Sequence, residues 1–309
     1  MKSLKTITII VLVFFTSHLS FAQKSKPEPD LANVKYGEHE RNVLDIWFAD
    51  KNKITSLVIY IHGGGFDYGS KEKINARALS QLLKAGISVA SINYRYKKIA
   101  PLPAAHLDAK KALQFIRSKA ESWGIDKDNI GVWGSSAGAQ ISMWLAFNDE
   151  MADSESTNPI EKESTRIACV ASNIGQTTME SDFWIKHLAK YAPGTEAEFK
   201  SKTRLQIYGV ENMEEADEIA KSISALALIS TDDPPIFMQY SMNPNAVAPS
   251  KDNPKKFRGW VIHHVDFGIA LKEKMDELNV EAHLKYPSSK TKYKSLVEFF
   301  IDKLNKQQF

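Results

Sequence analysis

The sequence predicts an α/β domain: a mostly parallel central sheet, helices on both of its faces, and a helical insertion in its second half. Three observations carry this. Short apolar runs, Leu57–Ile61, Ile87–Ile92, Ile130–Trp133, Ile167–Asn173 and Ile236–Ser241, alternate with segments of helical periodicity, the pattern of parallel strands joined by crossover helices. The third run enters Gly134-Ser135-Ser136-Ala137-Gly138 and then a helix-like stretch to Phe147, which sets a serine between a strand and a helix. The first run enters His62-Gly63-Gly64-Gly65-Phe66, a strand followed by three consecutive glycines.

Taken from the start, Lys2 and Lys5 precede an apolar run from Thr6 to Phe15, and Ser20-Phe21-Ala22 places small residues where a signal peptidase cuts. Residues 1–22 therefore read as a secretory signal peptide, too short and too interrupted for a membrane span. The expectation is an exported protein, periplasmic or secreted, with no membrane anchor after cleavage. Residues 23–33 are polar and proline-bearing and read as a solvated linker, leaving 34–309 as one domain. The chain's 40 basic and 37 acidic residues become 38 and 37 without the leader. That near-neutral balance gives no reason to expect a nucleic-acid partner. The single cysteine, Cys169, lies in an apolar run and reads as a buried structural thiol.

Residues 34–61 supply the first strands, and Lys71 to Ala85 reads as a helix stopped by Gly86. The strand Ile87–Ile92 ends at Asn93-Tyr94-Arg95. From Pro103 a long helix is expected, with Leu113, Ile116, Ala120 and Trp123 on one face and Gly124 as its cap. His106 and Asp108, in its first turns, read as structural. Residues 148–166 form a polar loop, and the strand 167–173 follows. Residues 176–229 are then too long and too helical for a simple connection. They read either as a cap over the site or as an edge elaboration, and Trp184 and Tyr191 as pocket walls or core. Asp232 and Asp233 precede their strand, away from the carboxyl edge where α/β sites form, and so read as structural. The last strand falls within 280–286, and Leu296, Phe299, Phe300 and Leu304 give the final helix its apolar face.

The chemistry centres on Ser136. In a G-x-S-x-G turn between strand and helix the serine hydroxyl is lifted clear of the sheet, which makes Ser136 the candidate nucleophile. The Ala137 N–H opens the following helix and would face a developing oxyanion, joined by the bare amides of Gly64 and Gly65. His62, Phe66 and Ser135 are the expected pocket residues beside them. No His/Asp/Glu cluster has metal-ligand spacing, so neither a metal nor another cofactor is expected.

Residues Tyr36-Gly37, Arg41, Leu44–Trp47, the His62–Phe66 loop, Asn93-Tyr94-Arg95, Pro103–Ala105 with Asp108, Gly124–Asp126 and Gly134–Gly138 together resemble the α/β-hydrolase superfamily. The likeness is to its hormone-sensitive-lipase-like and feruloyl-esterase-like (BD-FAE-like) carboxylesterases. The resemblance implies the α/β-hydrolase fold and a serine hydrolase acting on short-acyl or acylated-carbohydrate esters. A prolyl-oligopeptidase-type peptidase fits less well, because the triple-glycine loop belongs to the lipase branch.

The resemblance degrades toward the C-terminus. Its catalytic acid should follow the strand ending at Ser241, yet the next residues are Met242, Asn243, Pro244 and Asn245, and no carboxylate occurs before Asp252. Its histidine should follow Tyr286, and none does. The remaining candidates for a base are His263 and His264, with Asn245, Asn243, Asp252 or Asp266 to orient the ring. A histidine just before a similar Phe-Gly helix start in related exported hydrolases favours His263. Two functions follow: an esterase with an unusually placed base, or a binding protein that has kept the fold and lost the triad.

Overall fold

A computed structural model describes residues 26–188, 191 and 202–305. The expected signal peptide and residues 189, 190 and 192–201 of the expected insertion lie outside them. Eight strands form one sheet: β1 (Leu31–Lys35), β2 (Val43–Trp47), β3 (Thr55–Ile61), β4 (Ser88–Ile92), β5 (Ile125–Ser135), β6 (Cys169–Asn173), β7 (Ile236–Gln239) and β8 (Ala282–Lys285). Their order is β1-β2-β4-β3-β5-β6-β7-β8. The pairs β1–β2 and β2–β4 are antiparallel, and every other pair is parallel. The ordered domain begins before the expected boundary at residue 34: the Asp30 N–H donates to Ile46 O at 2.9 Å and β1 starts at Leu31, so the linker is shorter than its composition suggests.

Helices cover both faces. On one side lie α1 (Ala76–Lys84) and the C-terminal α10 (Leu296–Leu304). There Leu79, Leu82, Phe299 and Phe300 pack on Val58, Val89, Trp133, Cys169 and Phe237. Helix α1 starts later than expected, because Asn75 caps it by accepting from Ala78 N–H. Gly131 makes room for the aromatic layer: a Cβ there would stand 2.8 Å from the Phe300 ring. Cys169 is fully buried, and burial pushes its thiol pKa up.

The other face holds α2 (Ala104–Trp123), α3 (Ala137–Phe147), and, after β7, α8 (Pro254–Ile262) and α9 (Asp266–Glu277). Between β6 and β7 the described residues form α4 (Ser181–Leu188), α5 (Lys202–Tyr208), α6 (Met213–Ser222) and the short α7 (Ala225–Leu228). These helices are fastened to the body. Trp144 Nε1 donates to Ser222 O at 3.2 Å, Thr177 Oγ1 to Phe267 O at 2.8 Å, and Leu102 N–H to Ile207 O at 2.9 Å. Trp184 is buried with its ring 4.7 Å from that of Phe267, so it is a core residue. No helix among the described residues is long and apolar enough to cross a membrane.

Candidate active site

The turn of the candidate nucleophile is built at the carboxyl end of β5. Ser136 has φ 52° and ψ −120°, a conformation that costs a non-glycine residue about 1–3 kcal/mol and persists only where its surroundings enforce it. They do so here by close packing. A Cβ on Gly134 would lie 2.1 Å from Gly138 O, and one on Gly138 would lie 2.1 Å from Ile61 O at the end of β3. Asn173, the last residue of β6, holds the turn from the side: its carbonyl accepts from Ser136 N–H at 2.9 Å and its amide donates to Ser135 Oγ at 3.3 Å. Ser135 is thereby bound into the turn.

The glycine loop lies against this turn. A Cβ on Gly63 would meet Ser135 O at 2.6 Å and Ser136 Cβ at 3.3 Å. Gly64 and Gly65 have φ of 126° and 58°, and the Gly64 carbonyl accepts from Asp67 and Tyr68 N–H at 3.0 and 3.2 Å. The N–H groups of Gly64, Gly65 and Ala137 have no backbone acceptor among the described residues. They are the amides that the sequence singles out for an oxyanion.

Two residues expected in the pocket stand behind it. His62 is fully buried, stacked on Tyr94 with ring centroids 4.3 Å apart. Its Nδ1 donates to Gly63 O at 2.8 Å, and its Nε2 accepts from Arg41 Nη2 at 3.2 Å. Burial is the main cause that pushes its pKa down to about 4, so it is a neutral brace for the loop. Phe66 is buried too, with its ring 5.8 Å from that of His106. The polar residues of the early motif complete the brace. Arg41 Nε donates to Tyr94 O at 2.7 Å and Nη2 to Gly69 O at 3.3 Å, while Tyr94 OH donates to His62 O at 2.9 Å. His106, as expected, is structural: buried, paired to Gln140 Oε1 at 2.5 Å, with burial lowering its pKa to about 4. Asp108 is likewise structural, gripping the Arg95 guanidinium and N–H. So are Asp232 and Asp233, which engage Arg166 and Ser230.

The candidate base comes from the connection between β7 and α9. His263 caps the C-terminus of α8, and its Nε2 lies 2.9 Å from Ser136 Oγ. A backbone hydrogen bond with Gly259, one turn back on α8, favours a proton on the ring. The pKa of His263 is lowered, because burial outweighs that bond. Gln176, just after β6, fixes the end of the helix: its Nε2 donates to Ile262 O at 2.5 Å.

His264 faces the other way. It is fully buried, with its ring 4.6 Å from Trp260 and 4.8 Å from Tyr191, and its Nδ1 accepts from Asp266 N–H at 3.2 Å. The side chains expected to orient the base do not do so. Asn245 is exposed, Asn243 Oδ1 accepts from Ser288 N–H and Oγ at 3.0 and 2.8 Å, and Asp252 accepts from Ser250 Oγ at 2.8 Å. Asn245 fails because its turn is pinned toward the β8 side by the Asn243–Ser288 bonds. Asp266 sits 3.4 Å from the His264 ring instead. Sequence reasoning missed Gly259 and Gln176. A backbone acceptor has no side-chain signature, and Gln176 lies 86 positions from the carbonyl it holds.

A serine bonded to a neutral imidazole beside unpaired amides is suited to acyl transfer: the ring accepts the hydroxyl proton while the amides receive negative charge. The backbone interaction with Gly259 favours a proton on the ring. It contributes less than a carboxylate would to stabilising the imidazolium. No group of three or more His, Cys, Asp or Glu side chains among the described residues could hold a metal ion.

A family model described as BD-FAE matches residues 44–254. Among curated proteins, the probable carboxylic ester hydrolase LipM of Mycobacterium tuberculosis is 31% identical over 119 residues, 37% of this chain and 28% of that protein. Esterase LipC of the same organism is 31% identical over 126 residues, 40% of this chain and 31% of that protein. The chain thus spans less than a third of the length of these relatives. Among solved structures, a truncated carbohydrate esterase from gut microbiota aligns with TM-score 0.66 and 23% identity over 89% of this chain and 96% of that one. An acetyl ester-xyloside bifunctional hydrolase from Caldicellulosiruptor lactoaceticus aligns with TM-score 0.60 and 21% identity over 80% and 78%.

Proposed function

The chain belongs to the BD-FAE family and has the α/β-hydrolase fold, and on that premise we propose that it is a carboxylic ester hydrolase working through a Ser136 acyl-enzyme. The observation that carries the reading is the 2.9 Å approach of Ser136 Oγ to His263 Nε2. Ser136 Oγ attacks the ester carbonyl carbon and its proton passes to His263 Nε2. The carbonyl oxygen takes the charge and is met by the Gly64, Gly65 and Ala137 amides. The C–O bond to the alcohol then breaks, and His263 returns the proton to the departing oxygen. Water, deprotonated by His263, attacks the acyl-serine, which releases the carboxylic acid and restores the hydroxyl.

The substrates we propose are short-acyl esters, in particular acyl groups on carbohydrates. The fold neighbours, a carbohydrate esterase and an acetyl ester-xyloside bifunctional hydrolase, support that choice. The basic, apolar and small-residue order of residues 1–22 supports action outside the cytoplasm. The alternative, a binding protein that has lost catalysis, rests on the missing carboxylate. The strained serine, the unpaired amides and the bonded histidine weigh against it, since binding alone requires none of them. The test is hydrolysis of 4-nitrophenyl acetate together with labelling by a fluorophosphonate. The native chain should turn over and label, and Ser136→Ala should do neither. Unchanged turnover in Ser136→Ala would remove the nucleophile assignment.

A further inference from the structure

Among the described residues, five that are not glycine have positive φ: Asn33, Phe66, Ser136, Ile174 and Asn279. Asparagine tolerates that region, so Asn33 and Asn279 need no further cause. Of the other three, Phe66 lies in the glycine loop and Ser136 is the proposed nucleophile. Ile174, at φ 49°, has no part in the reaction described above. A β-branched residue in this region is strained. Such strain persists only where the surroundings impose it, and it gathers at active sites.

The constraint comes from both sides of the residue. The register of β5 on β6 pairs Ser135 with Asn173, so Ile174 is the next residue along, beside Ser136. Asn173 O accepts from Ser136 N–H at 2.9 Å, and Asn173 Nδ2 donates to Ser135 Oγ at 3.3 Å. The Ile174 N–H itself donates to Gln239 O at 2.8 Å. On the far side Gly175 O accepts from Tyr240 OH at 2.6 Å, and Gln176 Nε2 donates to Ile262 O at 2.5 Å, one residue before His263. Residues 173–176 therefore run from the serine turn to the end of α8 and are fixed at both ends. Ile174 is the one apolar side chain in that span. It is half-buried, packed in part on the core and in part free. Isoleucine gives this backbone nothing that glycine or asparagine would not give with less strain. What it adds is an apolar wall.

The glycine loop follows β3, on one flank of β5, and Ile174 follows β6, on the other. An oxyanion drawn to the Gly64 and Gly65 amides leaves the opposite flank to the acyl chain. We infer that Ile174 is the wall that limits the acyl group and so selects acetyl- to butyryl-sized chains over longer ones. The inference rests on the ester-hydrolase reading and names a determinant of its acyl class.

A series of 4-nitrophenyl esters, from acetate through butyrate and hexanoate to octanoate, tests it on the native chain, Ile174→Val and Ile174→Gly. The quantity read is kcat/KM for octanoate divided by that for acetate within each variant, which cancels any loosening of the turn that affects all esters alike. The ratio should rise about threefold in Ile174→Val and about tenfold in Ile174→Gly, the scale set by one to a few methylenes in an apolar pocket. Methyl, butyl and hexyl acetates, which vary the alcohol, should show no such trend. Valine keeps the β-branch, so its ratio decides the matter if the glycine variant does not fold. Unchanged ratios with Ser136-dependent turnover would overturn the wall and leave the hydrolase reading intact, and so would a shift confined to the alcohol series. If the native chain cleaves no ester, the hydrolase reading itself fails and the wall falls with it.

Discussion

The glycine loop and the histidine loop meet at one serine and are held in opposite ways. Residues 62–69 are braced on several sides: Arg41 reaches Tyr94 O and Gly69 O, Tyr94 reaches His62 O, and His62 reaches Gly63 O. His263 relies on a backbone carbonyl of its own helix and on one amide, Gln176, holding the residue before it. The first region lies within the family match and the second beyond its end at residue 254. The difference has a physical origin. An oxyanion hole is made of backbone amides, so it works only if the backbone cannot move, and that requires many fixed partners. A base needs one nitrogen at the right place in the right tautomer, and many local arrangements supply that.

The sharpest way to break the comparison is to remove the base. His263→Ala should lower kcat by about 10⁴-fold or more with KM little changed, as expected for a group acting with the nucleophile as a unit. His264→Ala should instead cost stability, about 2–4 kcal/mol for a fully buried ring, read as a lower urea midpoint with most of kcat retained. If the two effects exchange places, the base has been assigned to the wrong ring.

Next in size is the brace. Arg41→Met leaves the Tyr94 carbonyl and the His62 Nε2 without their donor and the Gly69 carbonyl with Tyr96 OH alone. A loosened glycine loop should cost about a hundredfold in kcat, measured on a short nitrophenyl ester. A loss below about threefold would mean that the loop holds its shape without the arginine, and the contrast between the two regions would weaken.

The sequence exposed these regions unequally. Gly134, Ser136, Gly138 and the His62–Gly65 run were legible because each position has a steric requirement: a Cβ at 134 or 138 would collide with backbone. The alternation of strands and helices gave the parallel sheet for a similarly local reason. The early strand at Leu31 was less visible, since five mostly exposed residues with a polar lead carry little periodic signal. The roles of His62 and Phe66 were misread because a residue's neighbours in sequence do not reveal which side of a loop its ring takes. The pairing of His263 with Ser136 could be narrowed to two histidines by eliminating the others and by the edge at which their loop begins. The resemblance at the Phe-Gly helix start leaned toward His263; the direction in which the end of α8 points, which residue chemistry alone does not encode, is what sets that ring against Ser136 and turns His264 toward Trp260.

Gln176→Leu probes that direction and should have a smaller effect than the brace. It removes the donor to Ile262 O while keeping a side chain of similar bulk in a nearly buried position. The end of α8 should then sample positions in which the histidine is out of reach. We expect kcat to fall about tenfold with KM held, and the single-turnover rate to fall in parallel. A matching fall in thermal stability without a change in kcat would make Gln176 a packing residue only.

The smallest effect is the most direct test of the missing acid. Neutral imidazole is the form that takes the serine proton, so activity vanishes as pH drops through the His263 pKa. Burial disfavours the imidazolium and sets that pKa below the ordinary 6.5. A carboxylate on Nδ1 would do the opposite, stabilising the charged ring and moving the limb upward. The acidic limb of kcat/KM should therefore lie below pH 6.5, and the enzyme should stay active where a carboxylate-backed histidine has begun to protonate. A limb above 6.5 would require a negative charge near Nδ1 that the fold does not place there, and the two regions would then be alike after all. The comparison is cleanest at high ionic strength, where exposed surface charges are screened and the limb reports the half-buried ring.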